Sequence, residues 1–268
     1  MEKAMGLWRK FVDSNVKLSS FFNLDNMAEY GTHVEYLRLA ALLFSSPDVR
    51  RVMDVAAGSN WQFPPAYKSA YGLELSGIDI DAEGIEANRL LDWRYTGDVC
   101  GGQKIGSGNY DLLTCYSGIE HFHDVQKFLY NAFAALRPGG ALIAQFPSGL
   151  APFAILNKAL PQSLKQKILN LIYPRKSAEI GYAVSYDKCR YSEFKKAAEK
   201  AGFEIEYYLP SYMSSGYFTW FAPLFIVSQF LDLLRLVFGT KDMASYNLFV
   251  LRRPGEHFPV KWTWHSKF

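Results

Sequence analysis

The sequence predicts an α/β fold, a largely parallel sheet with helices on both faces. Three observations point to it. Short apolar runs alternate with segments of helical length. Two of these runs, VMDVAAGSN (Val52–Asn60) and SGIDID (Ser76–Asp81), place Asp79 twenty-five positions after Asp54, which suits one strand–helix–strand unit. Further on, YDLLTCYS, a strongly periodic helix, the stop RPGG and the run ALIAQF repeat the same order.

Each element has its own signal. The N-terminal MEKAMGLWRKFVDS carries charges but no long apolar core and no small-residue cleavage site, so it is not read as a secretion signal. From about Asn26 to Phe44 an amphipathic helix is expected, with Tyr36, Leu37, Ala40, Ala41 and Phe44 on one face. RRVMDVAA is the first strand, LELSGIDI the second, a short run at Trp93–Tyr95 the third, YDLLTCYS the fourth and ALIAQF the fifth. In the helix after the fourth strand, Asp124 caps, Phe128, Leu129, Ala132, Phe133 and Leu136 recur at helical spacing, and Arg137–Gly140 stops it. YSEFKKAAEKAGFEIEYYL reads as helix, glycine stop and strand, and SYNLFVLRR as a seventh strand pairing antiparallel at the sheet edge.

This organisation divides the chain into an N-terminal helical segment, 1–45, and a main domain, 46–268. Two stretches, about 149–190 and 211–244, are too long to be plain connections and are expected to be mainly helical insertions forming a cap. With 268 residues, 49% of them apolar, the chain can bury one sizeable core. A net charge of +3 without a basic block argues against nucleic acid as a partner. Three widely spaced cysteines, Cys100, Cys115 and Cys189, form no CxxC pair. A disulfide scaffold or zinc site is therefore not expected, and a reducing, cytoplasmic compartment is.

The turn after the first strand is built from Ala56, Ala57 and Gly58, small enough for backbone N–H groups to approach a ligand. An acid at the end of the second strand, Asp79, can accept both hydroxyls of a ribose. Together with TGDV (Thr96–Val99) and with YDLLTCYSGIEHF running on to LRPGGALIAQFP, these blocks resemble the class I S-adenosylmethionine-dependent methyltransferases over most of Arg50–Arg253. The resemblance implies a Rossmann-like, mostly parallel seven-stranded sheet and S-adenosylmethionine as cofactor, leaving as S-adenosylhomocysteine. It also implies roles for residues. Asp54 and the Ala56–Gly58 turn would hold the methionine end, Asp79 the ribose diol, Ile80 the adenine face and Asp98 the adenine amino group, with Val99 beside the ring. Tyr116 and Ser117 would line the sulfonium. The sequence departs from the family's GxGxG turn, keeping only Gly58, with Ala56 and Asn60 at the flanking positions. The absence of G-x-G-x-x-G excludes a nicotinamide dehydrogenase.

Methyl transfer needs an aligned acceptor and, for a hydroxyl, removal of a proton. His121, at the rim of the fourth strand, is the candidate base. Glu120 is expected to brace its loop. Some relatives that methylate phenols hold a divalent metal in an E-x-x-E-H set; Ser117 stands at the first position here, so no metal is expected. His123 is expected in solvent, and His33, Tyr30 and Tyr36 in a helix packed on the sheet, the alternative being that they close over the cofactor.

The second insertion contains Tyr217–Gly239, whose Ser228, Asp232 and Arg235 make a polar stripe on an otherwise apolar helix. The first contains Leu164, Ile168, Leu171 and Ile172 on one face, with Lys165, Lys167, Arg175 and Lys176 near it. Either the two faces bury one another, the reading preferred here, or they lie peripherally on the inner face of a membrane. The phrases APFAILNKALP, YDKC and ASYNLFVLRR resemble bacterial methyltransferases of surface-polysaccharide or glycolipid assembly. That likeness implies O-methylation of a sugar, glycan or other small acceptor, with Tyr182, Tyr186, Tyr191, Tyr212 and Tyr217 available to contact it. The alternatives are an N- or C-methyltransferase of another natural product and a catalytically silent scaffold of the same fold.

Overall fold

The computed structural model describes residues 2–22, 31–102, 108–161, 163–164, 167 and 183–257. Seven strands form one sheet: β1 (Arg51–Val55), β2 (Glu74–Asp79), β3 (Trp93–Thr96), β4 (Tyr110–Tyr116), β5 (Leu136–Pro147), β6 (Glu204–Ser211) and β7 (Tyr246–Arg252). Their order is β3-β2-β1-β4-β5-β7-β6. The first five are parallel, and β7 enters antiparallel between β5 and β6. The antiparallel pair expected from the last two apolar runs is present, with β6 at the edge.

Side chains alternate across the strands and fill two cores. Met53, Val55, Leu113, Cys115, Leu142 and Ala144 face α5 (Val125–Ala135) and α7 (Tyr191–Lys200). Val52, Leu75, Leu112, Ile143 and Val250 face the other way, toward α2 (Thr32–Phe44) and its neighbours. Tyr36, Leu39, Leu43 and Phe44 are the buried stripe of α2, the two leucines and Phe44 each contributing about 1.5–3 kcal/mol by leaving water. This helix starts at Thr32 rather than Asn26, because Gly31 is extended at its N-cap; residues 26–30, Tyr30 among them, lie outside the described residues. Helix α5 is capped by the Asp124 side chain, which accepts from Lys127 N at 3.0 Å.

The RPGG segment does more than stop that helix. It lies inside β5, where pairing jumps from Leu136↔Tyr110 to Ala141↔Leu112, so Arg137–Gly140 bulges out of the ladder. The bulge lets Arg137 reach back beneath the sheet. Its Nε donates to Asp111 Oδ1 at 2.6 Å and its Nη2 to Asp48 O at 2.9 Å, while Asp111 Oδ2 accepts from Arg50 N and Arg51 N. One buried carboxylate thus ties the lower ends of β1, β4 and β5.

The short helices α3 (Ala66–Ala70) and α4 (Ala82–Ala87) connect the early strands, and α6 (Pro152–Ala159) begins the first insertion. Helices α1 (Glu2–Phe22) and α8 (Ala222–Phe238) pack on each other. Asn15 Oδ1 accepts from Ala222 N at 3.0 Å, and Ser19 Oγ donates to Thr219 O at 2.9 Å. The polar stripe of α8 points inward: Ser228, Gln229 and Asp232 are buried. On its apolar side Val227, Phe230, Val237 and Phe238 are exposed. Of the partner face expected to bury it, Lys165, Ile168, Leu171, Ile172, Arg175 and Lys176 lie outside the described residues.

Candidate active site

The strand order reverses between β1 and β4, and in such sheets the crevice at the carboxyl ends of those strands is where ligands bind. A cavity of about 340 Å³ opens there. Its walls come from four successive strand ends: Ala56 and Gly58 after β1, Ile78 and Asp79 on β2 with Ile80 after it, Gly97, Asp98 and Val99 after β3, and Ser117, Gly118, His121, Phe122 and His123 after β4.

The loop geometry brings backbone close to that space. Ala56, Gly58 and Ser117 have φ of 57°, 49° and 49°. The left-handed conformation costs a non-glycine residue about 1 kcal/mol or more, and such strain gathers at functional sites. A Cβ on Gly58 would meet nothing within 4 Å, so open space lies directly before the backbone there. A Cβ on Gly118 would lie 2.7 Å from Ala56 Cβ, which shows how tightly the β1 and β4 loops close on one another.

Asp79 and Asp98 share the cavity. Asp79 also organises its own surroundings: Oδ2 accepts from Gly58 N at 2.9 Å and Oδ1 from Asp81 N at 2.8 Å. Each oxygen retains an acceptor position, since a carboxylate offers about four. Asp98 Oδ1 accepts from Cys100 N at 2.8 Å, and Oδ2 lies 3.9 Å from His123 Nδ1. On the same wall as the two acids Ile80 is 70% exposed, an uncovered apolar surface facing the cleft.

Three of the residues expected at the cofactor do not reach this wall. Asp54 faces α2, because alternation along β1 sends it to the side opposite Met53 and Val55, where its register partner is Thr114. Thr114 Oγ1 donates to it at 2.6 Å. Burial pushes the Asp54 carboxyl up to about 7, against the pull of that hydroxyl and with a further push from Asp79. Tyr116, two positions beyond Thr114, shares its face and packs on Tyr36 and His33 with centroids 5.2 Å apart in each case. Asn60 is exposed and donates to Ser59 Oγ. Ser117 does reach the cavity, and its hydroxyl is held by Gln145 Oε1 at 3.2 Å.

His121 lines the cavity, and its Nδ1 lies 2.8 Å from Ala183 O. A carbonyl only accepts, so the hydrogen sits on Nδ1 and the neutral ring keeps its basic lone pair on Nε2. Glu120 braces the loop through its backbone: its carbonyl accepts from Ser185 N and Tyr186 N. Its carboxyl is a separate matter, buried, with Oε1 4.0 Å from His121 Nε2 and Oε2 without a hydrogen-bond partner among the described residues. Burial holds that carboxyl at about 8. His123, expected in solvent, is exposed but also forms part of the wall.

Where β5 ends and β7 begins, an aromatic group forms that sequence spacing did not reveal. Tyr217 stacks on Phe153 at 4.1 Å and hydrogen-bonds Tyr246 at 2.8 Å between hydroxyls, and Phe153 also meets Tyr246 at 5.5 Å. Tyr186 lies under Lys158, 4.8 Å from its ring centre. Of the other tyrosines proposed for an acceptor, Tyr191 stacks on Tyr208 and Phe249 instead, Tyr212 donates to Thr240 O, and Tyr182 lies outside the described residues. Phe153 and Tyr246 fall within the phrases APFAILNKALP and ASYNLFVLRR, but only packing across distant segments shows that they meet each other and Tyr217.

A family model described as a methyltransferase domain matches residues 27–208. A solved S-adenosylmethionine-dependent methyltransferase from Mesorhizobium loti is similar with a TM-score of 0.51 at 16% identity, over 81% of this chain and 98% of that one. The YcgJ protein from Bacillus subtilis gives a TM-score of 0.50 at 15% identity, over 84% of this chain and all of that one, 100%. At these identities the likeness concerns the fold. No curated protein matches the chain.

Proposed function

The chain belongs to the methyltransferase-domain family and is an S-adenosylmethionine-dependent methyltransferase, and from that premise we propose that it methylates a hydroxyl of a sugar, glycan or other small acceptor. The observation that carries the reading is the shared cleft of Asp79 and Asp98, with Ser117 and His121 at its other end. The residues present fit an adenosyl group: two carboxylates with acceptor positions to spare, the bare apolar surface of Ile80 on the same wall, and open space before Gly58.

In this reading Asp79 accepts from the ribose diol, Asp98 from the adenine amino group, and Ile80 and Val99 cover the ring. Ala56, Gly58 and Ser117 border the methionine end. Asp54 supports the β1 loop from behind rather than touching the cofactor. When bound, the cofactor supplies a methyl group already activated by a positive sulfur. The protein's work is then alignment, which can supply much of the rate, and proton removal. His121 takes the acceptor's proton on Nε2, the nitrogen opposite the one fixed by Ala183 O. Phe153, Tyr186, Tyr217 and Tyr246 offer ring faces and hydroxyls to a sugar. The main domain begins near residue 46, with both insertions on the acceptor side, and Tyr217–Phe238 brings the chain to the inner face of the cytoplasmic membrane.

Calorimetric titration with S-adenosylmethionine and S-adenosylhomocysteine tests the cofactor site. Both should bind the wild type, and Asp79→Asn should weaken binding at least tenfold, the loss of about 1.4 kcal/mol or more expected for a charged acceptor to two hydroxyls. No heat from either compound would mean a silent scaffold. For the acceptor, the cofactor labelled with carbon-13 at its methyl is incubated with nucleotide sugars and glycosides, and products are read by NMR. A methyl on nitrogen or carbon would overturn the hydroxyl reading.

A further inference from the structure

Helix α8 is amphipathic in the reverse sense. Its charged residues are Asp232 and Arg235, and neither is on the outer face. Asp232 is fully buried and accepts from Ser214 N, Ser214 Oγ and Ser215 N at 2.8, 2.7 and 2.7 Å. The outer face carries Val227, Phe230, Leu231, Leu234, Val237 and Phe238, with Phe238 as much as 78% exposed. Water selects the opposite arrangement, and an uncharged patch of this kind marks a contact surface.

Helix α1 widens the patch. Its inner stripe, Trp8, Val12, Asn15 and Ser19, is the less exposed one, while Leu7, Phe11, Leu18, Phe21 and Phe22 are exposed. Phe11 stacks on Phe221 at the start of α8, so the two apolar surfaces adjoin. The exposed charges of α1 with described side chains are Arg9, Lys10 and Lys17 against Asp13 alone.

We infer that α1 and α8 form a single docking face for an anionic lipid bilayer, lying in the plane of its surface. This rests on the membrane contact proposed above and deepens it, adding a second helix, a lipid charge and an orientation. Three features select lipid as the occupant. The outer face of α8 has no charge to meet a protein's rim. The cations of α1 match anionic headgroups, each worth about 1 kcal/mol near such a surface. Tyr217 and Trp220 stand in the turn leading into α8, where amphipathic rings suit the headgroup level. No helix of the described residues is long and apolar enough to cross, so α8, roughly 25 Å long, lies flat. Docked this way, the Tyr217 group beside the cleft sits at the lipid–water boundary.

The test is co-sedimentation of the full chain with vesicles of phosphatidylglycerol and phosphatidylcholine, or of phosphatidylcholine alone, at low and high salt. The wild type should pellet with the anionic vesicles. Phe230→Glu with Val237→Glu, and separately Leu18→Glu with Phe21→Glu, should each lower the bound fraction about tenfold or more. Lys10→Glu with Lys17→Glu should weaken binding chiefly at low salt. All three variants should keep the wild-type calorimetric affinity for S-adenosylhomocysteine, which shows that they fold. Wild type left in the supernatant overturns the proposal, as does a self-association in sedimentation velocity that the α8 pair abolishes without any vesicle binding. If only the α8 pair matters, membrane contact stands and the two-helix face fails. Vesicle binding without cofactor binding would instead sink the methyl-transfer reading.

Discussion

Glu120 stands next to the candidate base with one carboxyl oxygen unpartnered among the described residues and the other 4.0 Å from His121 Nε2. Burial raises it from its ordinary 4.5 to about 8. Between those values the folded chain holds a proton that the unfolded chain has released, so its contribution to stability is present at low pH and is lost as pH rises through about 8. Asp54, raised to about 7, acts with the same sign over a lower window. Glu120→Gln should therefore stabilise little at pH 5 and by a few kcal/mol at pH 9, flattening but not abolishing the decline. Thermal melts of both proteins across that range check it; an equal shift at every pH would show that the carboxyl does not carry the effect. The same residue marks a limit of sequence reading. The EH pair located the loop, but whether Glu120 braces through its carboxylate or its carbonyl depends on Ser185 and Tyr186, more than sixty positions away.

The elements most legible in sequence are those whose burial is periodic. The strand ends at Asp79 and Asp98, the capped helix after Asp124 and the antiparallel final strand all follow from local pattern. What local pattern lacks is direction. The family resemblance assigns Asp54 to the methionine end of the cofactor, yet register with Thr114 turns its side chain to the face of α2. The stripe on α8 was visible too, but not that it faces inward, since its partners are the backbone N–H groups of Ser214 and Ser215. RPGG was legible as a stop and not as a bulge. That bulge matters because it delivers Arg137 to Asp111 beneath the sheet. Arg137→Ala leaves the carboxylate of Asp111 facing only two backbone donors. The guanidinium is partly exposed, so the loss should be about 2 kcal/mol, below the 3–5 of a fully buried pair. Urea unfolding measures it, and a loss below about 0.5 kcal/mol would show that the lower ends of the strands hold without it.

At the scale of the molecule the sheet separates foundation from function. Asp111 and Arg137 tie the lower ends of β1, β4 and β5, whereas Asp79, Asp98, Ser117 and His121 stand at the upper ends. Ligand binding and intrinsic stability should then respond to different residues. A ligand that binds only the folded chain adds about 2.7 kcal/mol at one hundred times its dissociation constant. In a chain of this size that is roughly 5–10 °C of melting temperature. S-adenosylhomocysteine should raise the wild-type midpoint by that amount. Asp79→Asn, at the upper end, should lose most of the increment while starting near the wild-type midpoint, less the cost of weakened bonds to Gly58 N and Asp81 N. Arg137→Ala, at the lower end, should start several degrees lower yet gain the same increment once the ligand is matched to its own dissociation constant. Thermal scans of the three proteins with and without ligand give all six midpoints. If Arg137→Ala also lost the increment, strain beneath the sheet would be reaching the cleft, and the two ends could not be treated as independent.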